Sequence, residues 1–289
     1  MGRKIGAFAR LMRIDRPVGT LLLLWPTLAA LWIAAQGVPP LGILAAFVVG
    51  TFLARSAGCV INDIADREVD GRVERTRTRP LAQGEISVNE ALALLAILAG
   101  LCLAVVLTLN TQARYLALAG AAVAAVYPFL KRWTHWPQAA LGVAFSWGIP
   151  MAFAAVTGSA GSIAWLLFAA SLLWIVAYDT LYAMVDRNDD LVIGVKSTAI
   201  LFGNADRAVV GALQLATAGL LVWVGTRAGL QHAWYLAVAV AACLFVFQQW
   251  LIRNRDRDGC FRAFGNNVWV GFVLFAGAAA EFAFGTGPR

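Results

Sequence analysis

Sixteen Asp and Glu residues occur in this 289-residue chain, and many of them fall in two short runs. The first reads Asn62-Asp63-Ile64-Ala65-Asp66-Arg67-Glu68-Val69-Asp70; the second runs from Asp179 through Tyr182, Asp186 and Asp189 to Asp190. Both adjoin long apolar stretches, and an aspartate costs roughly 2.5–3.5 kcal/mol at the centre of a membrane helix. On a helix each residue advances about 100°, so Asp66, Asp70 and Asp63 lie about 40°, 80° and 100° round from Asn62 and share its face. Tyr182, Asp186 and Asp190 likewise fall within about 60° of Asp179. Two such faces opposed across a cavity make an all-oxygen pocket, which suits Mg2+, an ion bound through a few carboxylates, water and substrate phosphates. Without a cation, carboxylates this crowded repel one another and take up protons. The expected ligands are therefore Mg2+ and a phosphorylated substrate. Glu68 and Asp189 fall off the inward faces and are expected to be solvated or peripheral. A solvated acidic cap explains single residues such as Glu74 or Asp206, but not two matched stripes.

Basic side chains fit the same ligand. Arg72, Arg75, Arg77 and Arg79 follow the first stripe, Lys131 and Arg132 follow an apolar span, and Lys196 follows the second stripe. Arg and Lys clamp diphosphate oxygens, and Arg79, Arg132 and Lys196 are the strongest candidates. The competing explanation, a bias of basic residues toward the cytoplasm or anionic lipid binding, is favoured for Arg253, Arg255 and Arg257. Arg55 lies two turns before Asn62 on the same face, inside an apolar span. An intramembrane arginine faces a cavity or a partner, so Arg55 either pairs with an aspartate or, the favoured reading, holds an anionic group. Tyr178 and Tyr182 are expected in the pocket. His135 and His232 lack ligand spacing, and no Walker loop, GxGxxG or nucleophile elbow is present.

The elements that must position these residues are membrane helices. The chain is 61% hydrophobic and 13% charged, with mean hydropathy +0.73, against about 25% charged in soluble domains. Nine apolar stretches are each long enough to cross a hydrocarbon core: roughly 18–36, 41–61, 88–109, 112–130, 137–157, 162–181, 207–226, 231–252 and 264–284. The expected fold is an all-α polytopic membrane bundle of nine transmembrane helices, one domain over residues 1–289. The stripes should straddle the ends of the second and sixth spans and the loops beyond. Basic residues collect on alternate ends, leaving only Arg114, Arg227 and Arg289 on the other side. That places the N-terminus and both stripes in the cytoplasm and the C-terminus outside. The net charge of +7 is spread between spans, which argues against nucleic acid as a partner. Cys59, Cys102, Cys243 and Cys260 have no metal-ligand spacing, no cleavable leader is evident, and most of the eleven tryptophans read as interface anchors.

The motifs carry a resemblance over nearly the whole chain. Asp15-Arg16-Pro17-Val18-Gly19, Gly58-Cys59-Val60-Ile61-Asn62-Asp63-x-x-Asp66-x-x-x-Asp70, Arg77-Thr78-Arg79-Pro80-Leu81, Tyr127-Pro128-Phe129-Leu130-Lys131-Arg132, Tyr178-Asp179-Thr180, Asp186-x-x-x-Asp190 and Lys196-Ser197-Thr198-Ala199 resemble the UbiA superfamily of intramembrane aromatic prenyltransferases. The resemblance is strongest to its bacterial members that prenylate 4-hydroxybenzoate for ubiquinone synthesis in the inner membrane. It implies Mg2+ held by Asp66, Asp70, Asp186 and Asp190, assisted by Asn62 and Asp63, gripping a polyprenyl diphosphate whose tail extends into membrane lipid. It implies Arg72, Arg79, Lys131, Arg132 and Lys196 around the diphosphate, with Tyr178, Asp179 and Tyr182 in the pocket and Arg55 or Arg16 on the benzoate carboxylate. Other acceptors of the superfamily (a naphthoate, homogentisate, a haem) and a cation transporter are the alternatives.

Overall fold

The computed structural model describes residues 2–71, 76–130 and 133–284. They form twelve α-helices and a single 3-10 turn, with no strand among the described residues. In chain order these are α1 (Gly2–Leu11), α2 (Val18–Ala35), α3 (Leu41–Asp70), α4 (Val88–Leu107), α5 (Thr111–Leu130), α6 (Pro137–Ser146), α7 (Gly148–Thr157), α8 (Ser162–Ile193), α9 (Thr198–Phe202), α10 (Asp206–Ala228), α11 (His232–Leu251) and α12 (Arg257–Phe284).

Eight segments among the described residues are long and apolar enough to cross a membrane. They match eight of the nine expected spans. The remaining one, 112–130, is the 20-residue helix α5, which at about 1.5 Å per residue also reaches the roughly 30 Å of a hydrocarbon core. The protein is a polytopic membrane helical bundle. Its outer surface carries exposed Leu103, Leu118, Leu215, Leu236 and Val246, as a lipid-facing surface should.

Three differences from the sequence expectation bear on function. The acidic stripes do not run out into loops: α3 continues for 30 residues to Asp70, and α8 for 32 to Ile193. Hydropathy drops where the charges begin, but backbone hydrogen bonding does not stop there. The expected fifth span is two helices, α6 and α7, separated at Trp147. Pro150 explains the break, because it has no N–H to offer Ser146 and its ring crowds the Ser146 carbonyl. Finally, Trp174 and Trp234 are core residues rather than interface anchors, with indole N–H groups donating to Asn267 Oδ1 at 2.8 Å and to the Leu221 carbonyl at 3.0 Å.

The main core runs between α2, α7, α8, α10, α11 and α12 through Leu31, Ile149, Ile175, Leu221 and Trp234. A second cluster joins the far half of α8 to α9, α10 and α12, and a third seats the amphipathic α1 on α3 and α4 through Ala7, Leu11, Val60 and Ala91. Without a hydrophobic drive between helices in lipid, close contact depends on small residues. At Gly277 an added Cβ would lie 2.3 Å from Ala237 Cβ, so α12 can meet α11 only with glycine there. Overpacking of this kind costs about 1–3 kcal/mol, so Gly277→Leu is expected to lower the melting temperature in detergent by several degrees. Gly219→Ala, which meets nothing within 4 Å, is expected to leave it unchanged or slightly raised.

Candidate active site

The helical register that carries the first stripe brings it face to face with the second. Asp63, Asp66 and Asp70 on α3 and Asp179, Asp186 and Asp190 on α8 line one cavity of about 1110 Å³. Asn62, Tyr178, Tyr182, Arg16, Arg55, Arg79 and Lys196 line it too. The carboxylates sit deep: Asp63, Asp66, Asp70 and Asp186 are all buried. Off the inward faces, Glu68 is exposed beside Arg67, and Asp189 pairs with Arg257 at 2.8 Å.

Buried negative charge on this scale needs compensation, and among the described residues Arg79 and Arg13 contribute to it. The Arg79 guanidinium donates to both Asp70 oxygens at 3.0 and 2.8 Å and lies 3.0 Å from Asp63 Oδ1. Arg13 grips Asp63 through Nη2 at 2.7 and 2.8 Å. Nothing in the sequence singled out Arg13 as a site residue. The signal it carried, three arginines at positions 10, 13 and 16, is equally that of a cytoplasmic anchor. Ion pairs from α1 to Glu85 and Glu90 hold the helix that delivers Arg13. The Thr76 hydroxyl donates to the Asp70 carbonyl at 2.9 Å.

Burial pushes the Asp70 carboxyl above its ordinary range; Arg79 pulls it back in part, while Asp66 and Asp63 push it further up. A group that binds its proton more tightly folded than unfolded removes stability as pH rises through that interval. Burial, reinforced by the neighbouring carboxylates, makes the charged form of Asp70 costly, a cost that a nearby cation would reduce. Among the described residues no three His, Cys, Asp or Glu side chains converge tightly enough to hold a metal alone. The opposed faces instead leave room between them, as an ion that shares its coordination with phosphate oxygens and water requires. The oxygen-only donor set fits Mg2+.

The wall turns apolar at Leu22, Leu141, Phe145 and Phe264, with the exposed Phe261 at its rim. Tyr182 packs on Phe264 with ring centroids 4.5 Å apart, and Tyr178 meets Phe264 at 6.0 Å. Arg55 reaches this level. Its guanidinium lies 5.6 Å from the Phe145 ring centre and so close to Gly19 that a Cβ there would fall 2.5 Å from Nη2. The buried Tyr178 hydroxyl has no hydrogen-bond partner among the described residues. At the mouth, Arg16 is exposed beside Asp15, and Lys196 donates to the Trp133 carbonyl at 3.2 Å. Arg72, Lys131 and Arg132 lie outside the described residues. Phe145, Phe261, Phe264 and Gln138 are lining residues the sequence did not mark, because nothing in an apolar helix distinguishes a cavity face from a core face.

The profile of the UbiA prenyltransferase family matches residues 23–276. The chain is 57% identical over 279 residues to the 4-hydroxybenzoate octaprenyltransferase of Klebsiella pneumoniae, covering 96% of this chain and 97% of that one. It is 55% identical over 285 residues to the enzyme of the same name from Marinobacter nauticus, covering 97% and 96%. Among solved structures, the apo UbiA homolog from Aeropyrum pernix K1 superposes with TM-score 0.80 at 26% identity, covering 90% of this chain and 97% of that one. A UbiA homolog from Archaeoglobus fulgidus bound to DMAPP and Mg2+ gives TM-score 0.73 at 20% identity, covering 96% and 99%, a likeness of fold.

Arg79→Met keeps the stem but leaves Asp63 and Asp70 with one guanidinium fewer. The variant is expected to lose about 1–3 kcal/mol of stability at pH 7.5. The loss should shrink as pH falls toward 5, because Asp70, already pushed up by burial, binds a proton more readily once Arg79 is gone. Thermal unfolding in detergent across that pH range measures it, and a pH-independent deficit would contradict the charge assignment.

Proposed function

We propose that this chain, which belongs to the UbiA prenyltransferase family, transfers a polyprenyl group from polyprenyl diphosphate to carbon 3 of 4-hydroxybenzoate in ubiquinone synthesis. The observation that carries this reading is the meeting of two carboxylate faces, from α3 and α8, in one cavity lined also by basic and aromatic side chains. Its curated relatives are named for the octaprenyl donor, and a donor of that length suits a bundle whose outer faces are apolar.

Asp66, Asp70, Asp186 and Asp190, with Asn62 and Asp63 beside them, would hold Mg2+ together with the diphosphate. Bound there, Mg2+ supplies Lewis-acid neutralisation of the leaving diphosphate. Arg79 and Lys196, with Arg72, Lys131 and Arg132 from the adjoining segments, add positive charge where negative charge develops. Arg13 and Arg79 together balance Asp63. The allylic C–O bond breaks, its electron pair leaves with the diphosphate, and the carbocation forms beside Tyr182, Phe264 and Phe145. Aromatic faces stabilise such a cation, and the apolar wall keeps water from capturing it. Arg55, at the level of Phe145, holds the benzoate carboxylate so that the ring carbon ortho to the hydroxyl faces the cation; Arg16, at the mouth, is the alternative anchor. Carbon 3 forms the new bond, and its proton passes to a carboxylate or to the released diphosphate.

All 289 residues serve one transmembrane domain in a bacterial inner membrane. The basic ends set the N-terminus and the site on the cytoplasmic side and the C-terminus outside. Alkaline phosphatase fused after the final residue is therefore expected to be active; an inactive fusion in well-expressed protein would reverse the orientation.

The central test is turnover of 4-hydroxybenzoate with polyprenyl diphosphate in membranes. Chelation is expected to abolish it and Mg2+ to restore it. Asp66→Asn and Asp186→Asn are each expected to cut turnover about a thousandfold, equivalent to roughly 4 kcal/mol, with the melting temperature preserved. Arg55→Met is expected to raise KM for 4-hydroxybenzoate about tenfold or more and leave KM for the diphosphate unchanged. Normal product formation by both aspartate variants would falsify the proposal.

A further inference from the structure

On the flank of α8 away from the cavity, a second set of charges holds the segment that carries Asp186 and Asp190. Left alone, that end of α8 should fray. It extends past the expected apolar span, repeats a negative charge at i and i+4, and gathers carboxylates near a helix C-terminus, where the macrodipole is already negative. It is nonetheless helical to Ile193.

Asp206, fully buried at the start of α10, is the centre of the support. It accepts from Arg187 Nη1 at 3.3 Å, from Arg255 Nε at 2.8 Å and from the Arg207 amide at 2.6 Å. Arg255 also donates to the Asn204 carbonyl at 2.7 Å, and it adopts φ +56°, a left-handed conformation few non-glycine residues take. Near the beginning of α12, Arg257 pairs with Asp189 at 2.8 Å. The clasp thus ties α8 to the α9–α10 turn and to the α11–α12 connection, and none of these paired side chains lines the cavity.

We infer that the clasp centred on Asp206 is a positioning device. Through Arg187, the chain neighbour of Asp186, it fixes the rotation and height of α8 so that Asp186 and Asp190 face the α3 carboxylates at the spacing one cation–diphosphate headgroup needs. The inference rests on the cation and diphosphate chemistry proposed above. Asp206 touches neither ligand; it acts through α8. Groups that orient metal ligands from behind typically change metal affinity 10- to 100-fold when removed. Cohesion alone would give a different result: lower stability with unaltered cation affinity.

The test titrates purified protein in detergent with Mg2+ at fixed inorganic diphosphate and follows the melting temperature, with the same titration repeated on turnover. D206N and R255Q are expected to raise the Mg2+ concentration for half-maximal stabilisation about tenfold, while KM for 4-hydroxybenzoate and turnover at saturating Mg2+ change little. R255K, which keeps the charge, is expected to recover most of the affinity. R257Q, removing a more exposed pair, is expected to shift the midpoint about two- to threefold and preserves the readout should D206N not fold. An unchanged Mg2+ midpoint in R255Q and R257Q overturns the inference and leaves a purely structural clasp. A wild-type protein that gains nothing from Mg2+ and diphosphate together is a separate result: it removes the cation reading and the clasp's role with it.

Discussion

Everything in this molecule is arranged around a crowd of carboxylates held where water is scarce. Asp63, Asp66, Asp70 and Asp186 are buried in a setting where each unpaired charge would be expensive. Arg13 and Arg79 make the arrangement tolerable from one side. The compensation is partial, since burial and the neighbouring carboxylates still raise Asp70. A site fully neutralised by its own arginines would have no use for a cation, and one without them would not fold as it does.

That constraint explains why α3 and α8 run on past their most apolar stretches. α3 and α8 are both about three turns longer than the expected apolar spans, and the extra turns carry the charge. The amphipathic α1 is pinned by Lys4 and Arg10 to α4 and the turn before it, which sets Arg13 against Asp63. The short α9 and the α11–α12 connection buttress α8 from behind. The most apolar part of the bundle is a conventional packing of small residues and aromatics; the carboxylates gather toward the ends of α3 and α8.

The faces of both stripes could be read in the sequence because helical periodicity survives the passage from apolar to polar residues. The eight matched spans could be read because hydrophobic length is a direct demand of the bilayer. Helix ends could not, since a hydropathy window closes at the first charges while the backbone carries on through Asp70 and Ile193. The break at Trp147 hides inside an apolar run that differs from an intact helix only by Pro150. Asp206 looked like a lone solvated acid and Arg255 like a generic cytoplasmic cation, yet they are partners 49 positions apart around a fully buried carboxylate. Arg13 was legible as a basic residue but not as a partner of Asp63, for the same reason: pairing across distant segments leaves no local pattern.

Gly19 has a consequence of another kind. Its missing side chain lets α2 come against the Arg55 guanidinium, so a single hydrogen atom sets how far that cation stands from the charged mouth. Under the role proposed for Arg55 it works as a ruler: the gap between that guanidinium and the proposed diphosphate site would decide which ring atom is presented to the incoming carbon. Acceptor length and regiochemistry can then drift, over generations or in the laboratory, through the spacing of two helices, with the acidic machinery left untouched.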